Sequence, residues 1–261
     1  METILGKIVT AKKKRLELLK KEKPVSTLLK EIDSVPRKRS FLQAIRGKET
    51  LSIIGELKKA SPSKGELLKD FDPSALAKIY TSAGIDAISV LTEEDFFKGD
   101  DTYLSLAKDA STLPVLRKDF IIDQYQILES RVYGADAVLL ICRILSDSQL
   151  EEFMQQAAAV DLDVLVEVHT ALEVKRALNA GAQIIGINNR NLSDFSIDLT
   201  VTTELCAEIP SIVTVVSESG FSDAADLGRV KNYGVDAVLV GEAFMKSATI
   251  EKTIKEFVRN V

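Results

Sequence analysis

The segment AGIDAISVL, residues 83–91, sets Gly84 behind a helix-like run, a short polar bridge after it, and an apolar run beyond. Glycine suits the left-handed position that ends helices. An apolar run rich in β-branched residues suits a strand buried on both faces. The arrangement recurs as YGADAVLLI (133–141), AGAQIIGIN (180–188) and YGVDAVLVG (233–241), so that Gly84, Gly134, Gly181 and Gly234 follow one another at intervals of 50, 47 and 53 residues.

Four further apolar runs fall between and before these: LSIIGEL (51–57), LPVLRKDF (113–120), LDVLVEV (162–168) and SIVTVVSE (211–218). The stretches that separate them read as helices. DPSALAKIYTSA (72–83) opens on an Asp-Pro start signal, and DSQLEEFMQQAAAV (147–160) has Ser146 or Asp147 as its cap. Eight strand–helix units in about 210 residues predict an α/β protein of (β/α)8 TIM-barrel type. A doubly wound open sheet is the alternative. The fifty-residue period favours the barrel, because it divides the chain into four β-α-β-α quarters. Residues 1–261 are expected to form a single barrel domain, of which 1–50 is an N-terminal helical extension packed over one end. Within it, 7–22, 24–32 and 40–46 have helical patterns. The basic run in the first of these reads as a solvated helix face.

Composition narrows the function. A net charge of −5, from 34 basic and 39 acidic residues, argues against a general nucleic-acid binder. No run of 18 uncharged apolar residues marks a membrane span, and the N-terminal stretch is too charged to read as a signal peptide. Cys142 and Cys206 lack metal-type spacing and are expected to be reduced and buried, in a cytoplasmic protein. With His169 the single histidine, acid–base chemistry would fall to Lys, Glu or Asp.

Barrel enzymes carry their chemistry at the C-terminal ends of the strands. Here those ends are polar while the interiors are apolar. In IIGELKKASPSKG (53–65), Glu56 and Lys58 share one face of a strand, because side chains alternate. Lys118 and Phe120 share a face of the third strand. If these faces point inward, Lys58, Lys118, Glu56, Glu167 and Glu218 ring one mouth. A ring of lysines and glutamates in a partly dry cleft drives pKa values apart, which suits acid–base work on an anionic substrate. SESG (217–220) and VGEAFMK (240–246) each bring glycine toward a following helix, at the seventh and eighth strand ends where such barrels commonly bind phosphate. Either glycine alone is explained by an ordinary turn.

Together, GELKKASPSKG (55–65), VLTEEDFFKG (90–99), VLRKDFIID (115–123), LVEVH (165–169), GINNRNL (186–192), SESG (217–220) and VGEAFM (240–245) closely resemble the indole-3-glycerol phosphate synthase family, from about residue 5 to the end. The first and third of these motifs are the most specific. The resemblance implies a carbon–carbon lyase that converts 1-(2-carboxyphenylamino)-1-deoxyribulose 5-phosphate to indole-3-glycerol phosphate in tryptophan biosynthesis. Carbon dioxide and water are released, and neither a metal nor an organic cofactor takes part. By motif, Lys118 resembles the general acid of ring closure and Glu167 its carboxylate partner. Lys58 is similar to the family's other site lysine, which pairs with the substrate carboxylate and can act as a second acid, so the resemblance leaves the acid of each step open between Lys58 and Lys118. Glu56 would hold the lysine geometry, and Asn188 and Glu218 would bind hydroxyls or position the acid. Arg190 would add an ionic contact, and Phe97, Phe120 and Leu192 would sandwich the aromatic ring. Ser61 and the backbone of Ser219, Gly220, Gly241 and Glu242 would grip the phosphate, with the Ser-Pro-Ser-Lys-Gly loop closing over it. An acidic side chain at 242 departs from this pattern, because it should repel phosphate unless it points away. Lys59 has no assigned role. His169 is expected to anchor a loop and Asp119 to orient one.

The implied partner is a small phosphorylated substrate, bound by a monomer, with no nucleic acid or membrane involved. Rival readings are a phosphoribosylanthranilate isomerase-type barrel, a Schiff-base aldolase, and a non-catalytic barrel that binds a phosphorylated metabolite. The paired lysines at strands 1 and 3 count against the isomerase, and a trapped adduct would reveal the aldolase.

Overall fold

The computed structural model describes residues 3–62, 64–191 and 196–261. Its strands are β1 (Ser52–Leu57), β2 (Ala87–Leu91), β3 (Val115–Lys118), β4 (Ala137–Ile141), β5 (Asp163–Val168), β6 (Ile184–Asn188), β7 (Thr214–Glu218) and β8 (Ala237–Val240). Each lies inside a stretch expected from the sequence. They pair in parallel in chain order, and β1 also pairs with β8, so the sheet closes into a barrel. The open-sheet alternative is thereby excluded.

The strand alternation separates two apolar layers. Ile54, Leu116, Leu139, Leu165, Ile184, Val216 and Leu239 fill the barrel interior, while Ile53, Ile88, Val138, Val166, Ile185 and Val238 pack outward against the helices. Before the barrel come helices α1 (Ile4–Glu22), α2 (Val25–Ile32) and α3 (Phe41–Ile45). Between and after the strands come α4 (Pro73–Ala83), α5 (Thr102–Ala110), α6 (Gln124–Val132), α7 (Asp147–Ala159), α8 (Ala171–Asn179), α9 (Thr200–Cys206), α10 (Glu242–Met245) and α11 (Ile250–Arg259). A short hairpin, Ala60–Ser61 with Gly65–Glu66, follows β1. Asp72 caps α4 by accepting from the Ser74 and Ala75 N–H groups. For α7 the cap is Ser146, in a reciprocal box with Gln149. After β7 a 3-10 turn, Ala224–Arg229, replaces the regular helix that eight equal units would supply.

The structure explains the repeat. Gly84 takes φ 90°, and its three counterparts are also left-handed. The aspartate two residues on accepts from the first part of the preceding strand: Asp86 from Ile53 N–H at 2.7 Å, Asp136 from Val115 at 2.8 Å, and Asp236 from Val215 at 2.8 Å. In the third copy Gln183 stands there, and its carbonyl accepts from Thr214 instead. The polar bridge therefore staples three strand pairs through a carboxylate at the N-terminal end of the barrel, and in the third copy only the backbone bond to the next strand is made.

The N-terminal helices do not simply cover one end. α3 inserts Phe41 and Ile45 into the base of the interior layer. α2 packs along α6, and α1 reaches the opposite rim. There Lys12 is buried and bonds Asp119 at 2.8 Å, and Arg15 pairs with Glu94. The basic run is thus only partly a solvated face. Among the described residues no helix is long and apolar enough to cross a membrane. Cys142 and Cys206 are both buried and unpaired as thiols, and burial pushes their thiols up to about 12 and about 11.

Candidate active site

A cavity of about 570 Å3 opens at the C-terminal mouth of the barrel. Glu56, Lys58, Phe97, Lys118, Phe120, Glu167, Asn188, Arg190, Glu218, Ser219, Gly220, Gly241 and Glu242 all line it. Ser61 does not. It sits in the hairpin after β1, and its buried hydroxyl has no hydrogen-bond partner among the described residues. Leu192 lies outside the described residues.

Strand geometry builds the centre. On β3, Leu116 faces the interior, so Lys118 two residues on does too. Its ammonium lies 3.3 Å from Glu167 on β5 and 3.4 Å from Glu218 on β7. Lys58 bonds Glu56 at 2.6 Å. Burial would raise all three carboxyls. Lys58 and Lys118 outweigh it at Glu56, and Lys118 and His169 outweigh it at Glu167, so both are held below the usual range. At Glu218 burial wins over Lys118, and Glu167 adds repulsion, so its carboxyl rises to about 7. Burial disfavours the Lys118 ammonium, but its three carboxylates hold it well above the ordinary value. The site therefore keeps a firmly charged lysine beside one carboxyl that titrates near neutrality.

Two glycines make room for this cluster. A Cβ at Gly186 would stand 2.1 Å from Glu218 Oε1, and one at Gly241 would stand 2.5 Å from Glu56 Oε2. Each inward carboxylate occupies the volume that a neighbouring strand leaves by lacking a side chain. Across the mouth, the Phe97 and Phe120 rings lie 6.2 Å apart with planes tilted by 32°. Glu93 fixes the first of them, its carboxylate accepting from the Asp95, Phe96 and Phe97 N–H groups.

Behind Lys118 lies a second set of charges. Arg117 points outward into the shell and meets Asp101 at 2.6 Å, Glu129 at 2.9 Å and Asp119 at 3.2 Å. Asp119 also accepts from Lys12, Thr92 and the Phe120 N–H. Burial would raise its carboxyl, but Lys12 and Arg117 reverse this and hold it down to about 2. A depressed pKa means stability that is present above the ordinary carboxylate range and lost as pH falls through about 2. Lys12→Met should cost about 3 kcal/mol, the low end for breaking a buried pair, because Arg117 still faces Asp119. Urea unfolding at neutral pH measures this, and the difference from the parent chain should shrink as Asp119 protonates in acid.

His169 is not among the cavity lining. Its backbone N–H donates to Glu173 at 2.6 Å, and its ring nitrogens stand 3.6 Å from Glu173 and 3.7 Å from Glu167. This fits a loop anchor. At the far end of the cavity, Glu242 does not point away from charge. Its carboxylate lies 2.5 Å from Lys246 and 3.5 Å from Arg190. Helix dipoles contribute little there, because α10 has four residues and only a 3-10 turn follows β7. Positive charge comes instead from Lys58, Arg190 and Lys246, which all line the cavity.

Sequence reasoning passed over Lys12, Glu93, Arg117 and Lys246. Only Lys246 left a usable signal, its i,i+4 spacing from Glu242. Among the described residues, no group of three or more His, Cys, Asp or Glu is placed to hold a metal ion.

A family model of indole-3-glycerol phosphate synthase matches residues 5–257. The chain is 49% identical to the indole-3-glycerol phosphate synthase of Thermoanaerobacter pseudethanolicus over 98% of its own length and 97% of the relative's. It is 52% identical to that of Acetivibrio thermocellus, over 83% and 84% of the two chains. Among solved structures, KGPDC from Streptococcus mutans superposes with a TM-score of 0.62, at 11% identity, covering 81% of this chain and 97% of the other. That last likeness is one of fold alone.

Proposed function

Because this chain belongs to the indole-3-glycerol phosphate synthase family, and with it to the carbon–carbon lyases of tryptophan biosynthesis, we propose that the barrel mouth performs the reaction with Lys118 as general acid. The observation that carries this reading is the Lys118 ammonium held between Glu167 and Glu218, in one cavity with the Phe97–Phe120 pair.

The substrate has three recognisable parts. Its aromatic ring packs against the Phe97–Phe120 pair, whose rings at 6.2 Å must separate before a third ring could lie between them. Its carboxylate pairs with Lys58, which Glu56 holds in place. Its phosphate lies toward Ser219, Gly220 and Gly241, with Arg190 nearby. Ring closure begins as the ring carbon that bears the carboxylate attacks the ketone carbon. Lys118 gives a proton to the ketone oxygen, which becomes a hydroxyl. Loss of carbon dioxide returns the bonding pair to the ring and restores aromaticity. Lys58, freed from the departed carboxylate, then gives the proton that carries that hydroxyl away as water, while Glu167 takes the proton that the new double bond releases. Asn188, beside Glu218 in the strand register, contacts the substrate hydroxyls. Each acid or base step contributes about 100- to 10,000-fold. Ser61 falls outside the cavity lining, so its part in gripping phosphate requires the hairpin to move inward.

Glu218 gives the reading a pH signature. While protonated it leaves Lys118 one fewer negative neighbour, and the ammonium is then the stronger acid. The kcat of the parent chain should therefore fall as pH rises through about 7. Glu218→Gln should flatten that limb, and a limb that persists unchanged assigns it to another group.

The reading itself is tested by incubating the protein with the carboxyphenylamino-deoxyribulose phosphate in the presence of chelator and following indole fluorescence. Fluorescence should grow. Tight binding without growth would overturn the synthase reading and leave a binding barrel.

A further inference from the structure

Glu242 places a negative charge where a phosphate-bearing ligand needs positive charge. Its carboxylate lies 2.5 Å from Lys246 Nζ and 3.5 Å from Arg190 Nη2. Lys58 is the third cation acting on it, itself bonded to Glu56. All of these residues line the same cavity. Burial alone would raise the Glu242 carboxyl, but Lys246, Lys58 and Arg190 hold it below the usual range. The group is therefore an anion at neutral pH, in contact with two cations and in the field of a third.

We propose that Glu242 is a resident counter-ion and a specificity device: its carboxylate stands between Lys246 and Arg190 in the place that the substrate's phosphate takes on binding, and only a dianion displaces it. The proposal rests on the synthase reading for the identity of the phosphate ester, and on the geometry for the exchange. Without an anion between them, Lys246 and Arg190 would repel one another and splay. A carboxylate gathers them, but with one charge and two oxygens it is a weaker partner than a phosphate with two charges and three. It is also easily moved. The Glu242 side chain is 28% exposed and that of Lys246 46%, so water screens the pair. The Glu56–Lys58 pair, at 6% and 15%, is not exchangeable in this way. A monoanion gains too little to evict an equal charge, so the resident carboxylate discriminates by repulsion as well as by fit.

The test uses sulfate and acetate as dianionic and monoanionic probes, with binding read by titration calorimetry and folding checked by circular dichroism. The parent chain should bind sulfate and not acetate. Glu242→Gln should bind sulfate about tenfold tighter, the scale expected for removing one partly screened like charge, and should gain acetate binding. Lys246→Met should lose sulfate affinity by about the same factor. Unchanged or weaker sulfate binding in Glu242→Gln would overturn the counter-ion role, and so would unchanged sulfate binding in Lys246→Met. Calorimetry needs no turnover, so the two readings fail separately. A chain that binds the probes as expected but makes no indole product keeps the counter-ion and loses the synthase chemistry. A chain that turns over but shows no change in Glu242→Gln does the reverse.

Discussion

Lys118→Ala is expected to lower kcat about 1,000-fold or more, within the range for loss of a positioned general acid, with a smaller change in KM. The lysine lies at 3.3 Å and 3.4 Å from two buried carboxylates, so its removal also leaves those charges without their shared partner. Glu218, already raised to about 7, then takes up a proton, and the fold is preserved at the cost of the acid. Lys118→Arg separates charge from proton transfer. A guanidinium keeps the positive charge between Glu167 and Glu218, yet it does not give up its proton in proteins. It should restore the stability lost in Lys118→Ala while remaining nearly inactive. Fluorescence-detected turnover and urea unfolding of the two variants make the comparison. If Lys118→Ala kept a tenth or more of the parent rate, the acid would have to be Lys58, the other lysine beside the carboxylate cluster.

Gly186→Ala should be the most damaging small substitution in the barrel. The added methyl would stand 2.1 Å from Glu218 Oε1, 3.1 Å from its Cδ and 3.2 Å from Leu165 Cδ1. Glu218 cannot retreat without losing Lys118, and Leu165 belongs to the packed interior layer. Overpacking of this kind costs about 1–3 kcal/mol. A displacement of about 1 Å at the acid's partner is enough for roughly 100-fold in turnover. Gly228→Ala is the control. Its Cβ would meet nothing within 4 Å and its φ is not left-handed, so its stability should lie within about 0.5 kcal/mol of the parent chain. Thermal unfolding and kcat for both variants provide the check. A Gly186→Ala protein as active as Gly228→Ala would show that Glu218 has room to move without consequence.

Much of the site is legible in the sequence because strand alternation is a local rule. Glu56 with Lys58, and Lys118 with Phe120, follow from period two once the strand ends are known, and the structure brings these four to one cavity. Ser61 is harder to place, because a hairpin rather than an extended loop follows β1 and keeps its hydroxyl away from the mouth. The helix starts expected after β7 and β8 differ for a related reason. Glycine marks where a strand stops, but it does not say whether a long helix, a 3-10 turn or a single turn comes next.

The eight strands and the residues that share a face at their ends are written in the residues alone, while the closed order and the inward direction of those faces come with the tertiary structure. Hydrophobic runs and glycine stops lie within ten residues of each other, and parallel strands joined by helices have few ways to close. Which charges meet is a different matter, settled by the closed barrel. Lys12 finds Asp119 from more than a hundred positions away, Glu218 fills the space beside Gly186, and Arg190 reaches Glu242 from 52 positions away. Electrostatic and steric forces depend on distance through a dry interior and not on separation along the chain, so those partnerships exist only once the barrel has closed.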